Sequence, residues 1–264
     1  MTTNPETYQQ KLERVCAQTI APAAPEVDRS GAFPEESIAA LRAAGLLGAV
    51  SAVEMGGLAL GPRGAAAIIR RVAQDCGSTA MVVAMHYCGA AVIEAYAGED
   101  VRRAAAAGDH LSTLAFSEEG SRSQFWAPVS TARLESGDIV LDARKSWVTS
   151  ASRATAYVWS SKPLAAEGMS TLWLVPAGTA GITVQGPFNG LGLRGNDSSR
   201  VRAQAVRVQP SAMLGADGKG FDIMMAVVLP LFNVLNAACS AGMMEAAVTR
   251  VAQHAGGVQY EHSG

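Results

Sequence analysis

Ser117-Glu118-Glu119-Gly120-Ser121-Arg122-Ser123, followed downstream by Lys145-Ser146-Trp147-Val148-Thr149, is the stretch on which the reading of this chain turns. Between the two lies a strand-like segment, with Thr131, Arg133 and Glu135 in alternation and then Ile139-Val140-Leu141. A Gly/Ser-rich loop leaves backbone N–H groups free to meet an anionic or polar ligand. A Trp-Val-Thr segment offers an aromatic face, a bare backbone and a hydroxyl to a flat heterocycle. Together they point to a site for a planar, phosphate-carrying cofactor, and a flavin nucleotide fits that description.

The rest of the chain narrows the possibilities. Its 264 residues hold one large domain or two to three small ones, and with 49% apolar and 17% charged residues a sizeable core is expected. A net charge of −2, with no basic run longer than Arg70-Arg71 or Arg102-Arg103, argues against nucleic acid and against a polybasic membrane patch. Cys16, Cys76, Cys88 and Cys239 form no C-x-x-C pair and read as free thiols of a reducing compartment. Residues 1–13 are polar and show no secretory signal, so a cytoplasmic location is expected. Segment 223–244 is uncharged and long enough to span a bilayer. Pro230, Asn233, Asn236 and Ser240 interrupt it, and Asp222 and Glu245 flank it without a positive bias. It reads as a buried helix of a larger helical domain, with no membrane involved.

Residues 5–112 have helical character. Pro34-Glu35-Glu36 begins a helix whose face is Ile38, Leu41 and Ala44, and Gly45 stops it. Segments 65–74 and 79–96 are dense in apolar residues and read as packed helices, with Gly56-Gly57 and Gly61-Pro62 in a loop between elements. From 113 to 212 short β-branched or aromatic runs take over, at Ile139 and Leu141, 157–160, 171–175, 182–184 and 201–208. Helical character returns after Gly220. The expected fold class is α+β multidomain: an N-terminal all-α domain over 1–112, a middle antiparallel, barrel-like β-domain over 113–213, and the start of a C-terminal helical bundle over 214–264.

Gly190-Leu191-Gly192-Leu193-Arg194-Gly195 is a literal G-x-G-x-x-G. Residues 201–206 alternate like a strand where a dinucleotide fingerprint needs a helix, so a Rossmann reading is rejected. The four histidines have no metal spacing, no metal site is expected, and no nucleophile elbow is present.

Both opening segments resemble the acyl-CoA dehydrogenase family, whose loop reads roughly Thr-Glu-Pro-Gly-Ala-Gly-Ser-Asp and whose second motif reads Trp-Ile-Thr. Three further segments match in order and spacing. The first is Val27-Asp28-Arg29-Ser30-Gly31-Ala32-Phe33-Pro34 with Leu41-Arg42-Ala43-Ala44-Gly45-Leu46-Leu47-Gly48. The others are Gly190 to Ser198, and Leu214-Gly215-Ala216-Asp217-Gly218-Lys219-Gly220-Phe221. The resemblance implies FAD as cofactor. It places Leu114, Phe116 and Ser117 at the flavin ring, and Gly120 and Ser123 at the cofactor or the acyl-CoA phosphopantetheine. Trp147 and Val148 would lie against the isoalloxazine, and Thr149 near N5. Glu119, Arg122 and Gln124 depart from the family's Pro, Gly and Asp, and the Arg is costly if its position needs positive φ.

The activity implied is α,β-dehydrogenation of an acyl-CoA thioester with hydride transfer to flavin N5, which requires a general base. Most members carry a Glu late in the C-terminal helical domain, which would begin here near Gly215. Some carry it in a Leu-Asp-x-x-Arg stretch instead. That stretch aligns with Leu229-Pro230-Leu231-Phe232-Asn233. Phe232 takes the base position and Asn233 replaces the substrate-side Arg, so no catalytic residue is assigned. Implied partners are an acyl-CoA substrate, an electron-transfer flavoprotein or oxygen as acceptor, and other subunits of a homo- or hetero-oligomer. The alternatives are a non-catalytic flavin/acyl-CoA-binding subunit and a flavin monooxygenase of the same fold.

Overall fold

The computed structural model describes residues 6–257. Residues 1–5 and 258–264, the outer ends of the first and last expected segments, lie outside the described residues.

A capping box opens α1 (Tyr8–Val15): Thr7 Oγ1 accepts from the Gln10 amide while the Gln10 side chain accepts from the Thr7 amide. A π-turn over Cys16–Ile20 leads into α2 (Ala21–Ser30), and Gly31 at φ 70° closes it through a bond to the Val27 carbonyl. α3 (Glu35–Ala43) starts behind Pro34, buries Ile38 and Leu41 as the spacing predicts, and stops before Gly45 at φ 73°. α4 (Gly61–Asp75) begins at the Gly61-Pro62 pair assigned above to a loop. Proline needs no N–H partner in a first turn, so the pair starts the helix instead of preceding it. α5 (Gly77–Tyr96) is buried on nearly every side, and α6 (Glu99–Ala107) completes the layer.

Eight strands follow: β1 (Ser112–Ala115), β2 (Thr131–Glu135), β3 (Asp138–Val148), β4 (Ala156–Ser161), β5 (Thr171–Pro176), β6 (Ile182–Pro187), β7 (Ser199–Val208) and β8 (Met213–Leu214). They form two open four-stranded sheets, ordered β1-β4-β5-β8 and β2-β3-β7-β6. The expectation of a barrel-like domain is corrected to two stacked sheets. Alternate residues of the inner sheet sort accordingly. Leu114, Phe116, Val158 and Leu172 join the helical core, whereas Ala115, Tyr157, Trp159 and Trp173 pack between the sheets against Ile139, Leu141, Val201 and Val206. The outer sheet faces water on its other side, so β7 alternates buried and exposed.

Antiparallel pairing holds throughout except between β1 and β4, which run parallel. The chain leaves β1 for the β2–β3 hairpin of the other sheet and returns in its original direction. Ser136 and Gly137, both at positive φ, make the two-residue hairpin turn.

His86 ties this frame together. Its Nε2–H donates to the Leu47 carbonyl at 3.1 Å, and Nδ1 accepts the Ser112 amide at 3.0 Å, fixing the start of β1. Burial pulls its pKa down to about 4, and burial does the same to His110. An imidazole that is neutral when folded but charges at its ordinary value when unfolded contributes stability above about pH 6.5 that is lost toward pH 4. His86 alone is expected to cost about 2 kcal/mol by about pH 5. Equal urea midpoints at pH 7.5 and pH 5 would contradict this.

After a short α7 (Gly220–Ile223) and a π-turn over Met224–Val228, α8 (Leu229–Gly257) runs back across α4. It is not the buried helix expected of segment 223–244. Ile223, Met224 and Val228 ahead of it are buried, but along α8 only Leu231, Leu235, Cys239 and Gly242 are, while Val234, Met244, Val248 and Val251 are exposed. One stripe meets α4, and no described element covers the opposite one. By length and composition both α5 and the 220–257 helix suffice to cross a membrane; α5 is largely inside the protein.

A Cβ on Gly242 would stand 2.1 Å from the Arg70 carbonyl oxygen and 2.9 Å from Ala73 Cβ. Backbone cannot yield as a side chain does, so Gly242→Val must push the two helices apart. The expected loss is ~3 kcal/mol by urea unfolding, and an unchanged midpoint would refute the close approach.

Candidate functional site

A cavity of about 340 Å³ opens where α5, β1, the end of β3, the 188–198 loop and the start of α8 meet. Leu114, Phe116, Phe125, Trp147, Met81 and Met85 give it apolar walls. Ser117, Ser146, Thr149, Asn196 and Ser198 place hydroxyls and an amide on one side, and Val228, Leu229 and Phe232 close the other. Such a slot suits a flat, mainly apolar heterocycle with hydrogen-bonding edges. Among the described residues no carboxylate, His or Lys lines it.

Local backbone geometry explains the polar side. A register shift between Lys145 and Val148 releases Ser146 and Trp147 from the β7 ladder. Ser146 N–H turns instead to the Ser117 carbonyl at 2.9 Å, joining the two sequence motifs directly. Trp147 sits at φ 57°, a left-handed conformation that a bulky residue adopts only under constraint. Trp147 is 67% exposed and its ring stacks on Phe188 at 4.3 Å, and Arg200 lies 4.9 Å over the Phe188 ring while pairing with Glu119. The Thr149 carbonyl accepts from Thr113 Oγ1 at 2.7 Å, and its hydroxyl lies 3.3 Å from Ser198 Oγ. The Asp197 carboxylate accepts from the amide and hydroxyl of Ser152, holding the 188–198 loop against the turn after β3.

Behind the wall lies a fully buried ion pair. Lys145 Nζ donates to Glu118 Oε1 at 2.5 Å, the Ser160 carbonyl at 2.7 Å and Ser160 Oγ at 2.9 Å, using all three protons. Glu118 Oε2 accepts the amides of Val129 and Ser130, both at 2.8 Å, and Oε1 accepts Ser130 Oγ. Burial pushes the Glu118 carboxyl up, but the Lys145 charge and these hydrogen bonds outweigh it and hold it below its ordinary value. Burial draws Lys145 down to about 8, so both groups are charged at neutral pH.

Of the residues singled out from the sequence, Leu114, Phe116, Ser117, Trp147 and Thr149 converge on the cavity. Val148 is wholly buried and packs between the sheets instead. Gly120 and Ser123 lie exposed on the loop outside the lining, and Asn233 is exposed on α8 beside Phe232, which does line it. Arg122 takes φ 52°, the positive φ that makes an Arg costly where the family has Gly. Met81, Met85 and Phe125 carry no sequence signal for the site. The two methionines stand four residues apart on α5, which is apolar on every face, so spacing alone does not reveal which face meets the cavity.

The description "Acyl-CoA dehydrogenase, N-terminal domain" matches residues 2–108, and "Acyl-CoA dehydrogenase, middle domain" matches residues 113–206. Human short-chain specific acyl-CoA dehydrogenase is 29% identical over 234 residues, covering 84% of this chain and 56% of the relative. Cyclohex-1-ene-1-carbonyl-CoA dehydrogenase of Syntrophus aciditrophicus is 27% identical over 96% of this chain and 64% of its own length. The chain thus spans little more than half the length of these curated relatives. The solved butyryl-CoA dehydrogenase of Megasphaera elsdenii superposes with a TM-score of 0.89 at 20% identity, over 100% of this chain and 72% of that one. With two adjacent domains of one family matched in order, this chain belongs to the acyl-CoA dehydrogenase family.

Proposed function

We propose that the chain binds FAD in this cavity and serves the α,β-dehydrogenation of an acyl-CoA thioester. The observation that carries the proposal is the convergence of Leu114, Phe116, Ser117, Trp147 and Thr149, from two separate motifs, on one apolar slot with a polar edge. When bound, the flavin would supply the hydride acceptor.

The chain's own residues do the binding and orienting. Leu114, Phe116 and Trp147 provide faces for the ring. The hydroxyls of Ser117 and Thr149 offer donors at its polar edge, and Thr113 fixes the Thr149 backbone. Met81, Met85, Phe125 and Phe232 form a dry region beside the ring for the acyl chain. Gly120 and Ser123 sit on an exposed turn where the phosphates of either ligand would emerge. Asn233, exposed beside Phe232, would meet the thioester as it enters. An electron-transfer flavoprotein, or oxygen, would reoxidise the flavin. The exposed apolar side of α8 supports assembly with further subunits, and four buried free thiols suit the cytoplasm.

α-Proton removal needs a base, and Phe232, which faces the cavity, has no group to take a proton. This favours a second reading in which the chain binds flavin and acyl-CoA without performing the oxidation. Anaerobic addition of short acyl-CoAs to the FAD-loaded chain separates the two. Both require a shift of the visible flavin band on binding, whereas only the first produces bleaching. A bound flavin that responds to no acyl-CoA contradicts both.

A further inference from the structure

The Glu118–Lys145 side chains are buried and lie outside the cavity lining, yet they join the two segments that carry Ser117 and Ser146 of the polar wall. Glu118 directly follows Ser117, and Lys145 directly precedes Ser146 and Trp147. The two residues face each other in an isolated antiparallel bridge, flanked by Ser146 N–H to the Ser117 carbonyl and Glu119 N–H to the Arg144 carbonyl. Through Val129 and Ser130 the same carboxylate holds the far end of the loop that carries Phe125. Through Ser160 the ammonium anchors the assembly to β4 of the inner sheet. All three Lys145 protons and both Glu118 oxygens are used, so the network has one arrangement rather than several.

We propose that Glu118 and Lys145 are positioning residues, a buried clamp that sets the spacing between the Ser117 loop and the Ser146–Trp147 bulge and so pre-forms the flavin-facing wall. This rests on the flavin reading above. A hydrophobic core would have closed the same space without charge. What the pair adds is one carboxylate oxygen that accepts two backbone amides of the 117–130 loop and a second that accepts the Ser130 hydroxyl, which no apolar side chain supplies. The clamp therefore orders a loop that would otherwise have to be fixed when a ligand arrives.

The test compares two double variants of the full chain. Glu118→Leu/Lys145→Met removes both charges and leaves a packed apolar contact, a replacement that buried ion pairs tolerate in global stability. Glu118→Gln/Lys145→Met also removes both charges but keeps an acceptor oxygen for Val129 and Ser130. Hydrogen exchange is read on the FAD-free protein at the Val129, Ser130 and Ser146 amides, and FAD affinity is read by flavin fluorescence. The Leu/Met variant is expected to fold, to exchange about tenfold or more faster at these three amides, and to bind FAD about 10- to 100-fold more weakly, the scale on which outer partners act on a bound group. The Gln/Met variant is expected to stay within about threefold of the natural chain in both readouts.

Unchanged exchange at these amides in the Leu/Met variant overturns the proposal. So does an equal loss in both variants, since charge and not loop position would then matter. Failure of the Leu/Met variant to fold also overturns it, because the pair would then hold the domain and not the wall. If the natural chain binds no FAD, the flavin reading fails while the exchange measurement still decides whether the clamp exists.

Discussion

Phe232→Glu is expected to accelerate anaerobic bleaching of the FAD-loaded chain by a short acyl-CoA by about 100-fold or more over the unsubstituted chain, the range a positioned general base supplies. Phe232 lies at the start of α8 with Val228 and Leu229, facing the slot opposite Ser117 and Thr149. It is half-buried, so a carboxylate there would reach the cavity while keeping a route to water. Met81, Met85 and Phe125 nearby would raise its pKa above the ordinary glutamate value. Bleaching should therefore quicken as pH rises through that raised value. Phe232→Gln, similar in shape but unable to take the proton, should show no gain. Equal rates for the Glu and Gln variants would mean that the cavity does not bring an acyl α-carbon to this wall.

Lys145→Met alone should cost ~4 kcal/mol of unfolding free energy, because it strands the Glu118 carboxylate in a site only 1% exposed. The three hydrogen bonds from Val129 and Ser130 remain, yet no cation does. An unpaired buried carboxyl has a raised pKa, so the folded variant takes up a proton more readily than the unfolded chain. The sign follows: the gap in stability between variant and natural chain should narrow as pH is lowered from about 7 to about 5. Urea unfolding at both pH values measures it. A loss under about 1 kcal/mol at neutral pH would contradict the description of this pair as closed to water.

The binding segments were legible because they combine residue types that a core does not ask for. Ser117 and Thr149 put hydroxyls beside Phe116 and Trp147, and strands that merely pack have no use for that mixture. What the sequence hid was every contribution whose meaning depends on distant pairing. Lys145 reads as one polar residue in a strand, and only Glu118, folded against it across the 119–144 excursion, turns it into a buried charge. β1 is four fully buried residues with no alternation, and its parallel partner lies beyond an entire hairpin of the other sheet. α8 is apolar in composition whether or not something covers it, so its exposed stripe at Val234, Met244, Val248 and Val251 could be learned only from packing. Gly120 and Ser123 were drawn toward the site by motif. They lie exposed beside the lining, on a turn where Arg122 and Ser123 both take positive φ.

One slot, walled by Trp147 and Leu114, is proposed to hold the flavin ring. Titration of the purified chain with FAD, followed by quenching of flavin fluorescence, tests it most directly when paired with Leu114→Trp, which fills the slot from β1 without touching the loops. Saturable binding at one flavin per chain is expected, with at least tenfold weaker binding in the variant, about 1.4 kcal/mol or more. Equal affinity in both proteins, or no saturable binding by the natural chain, would contradict it.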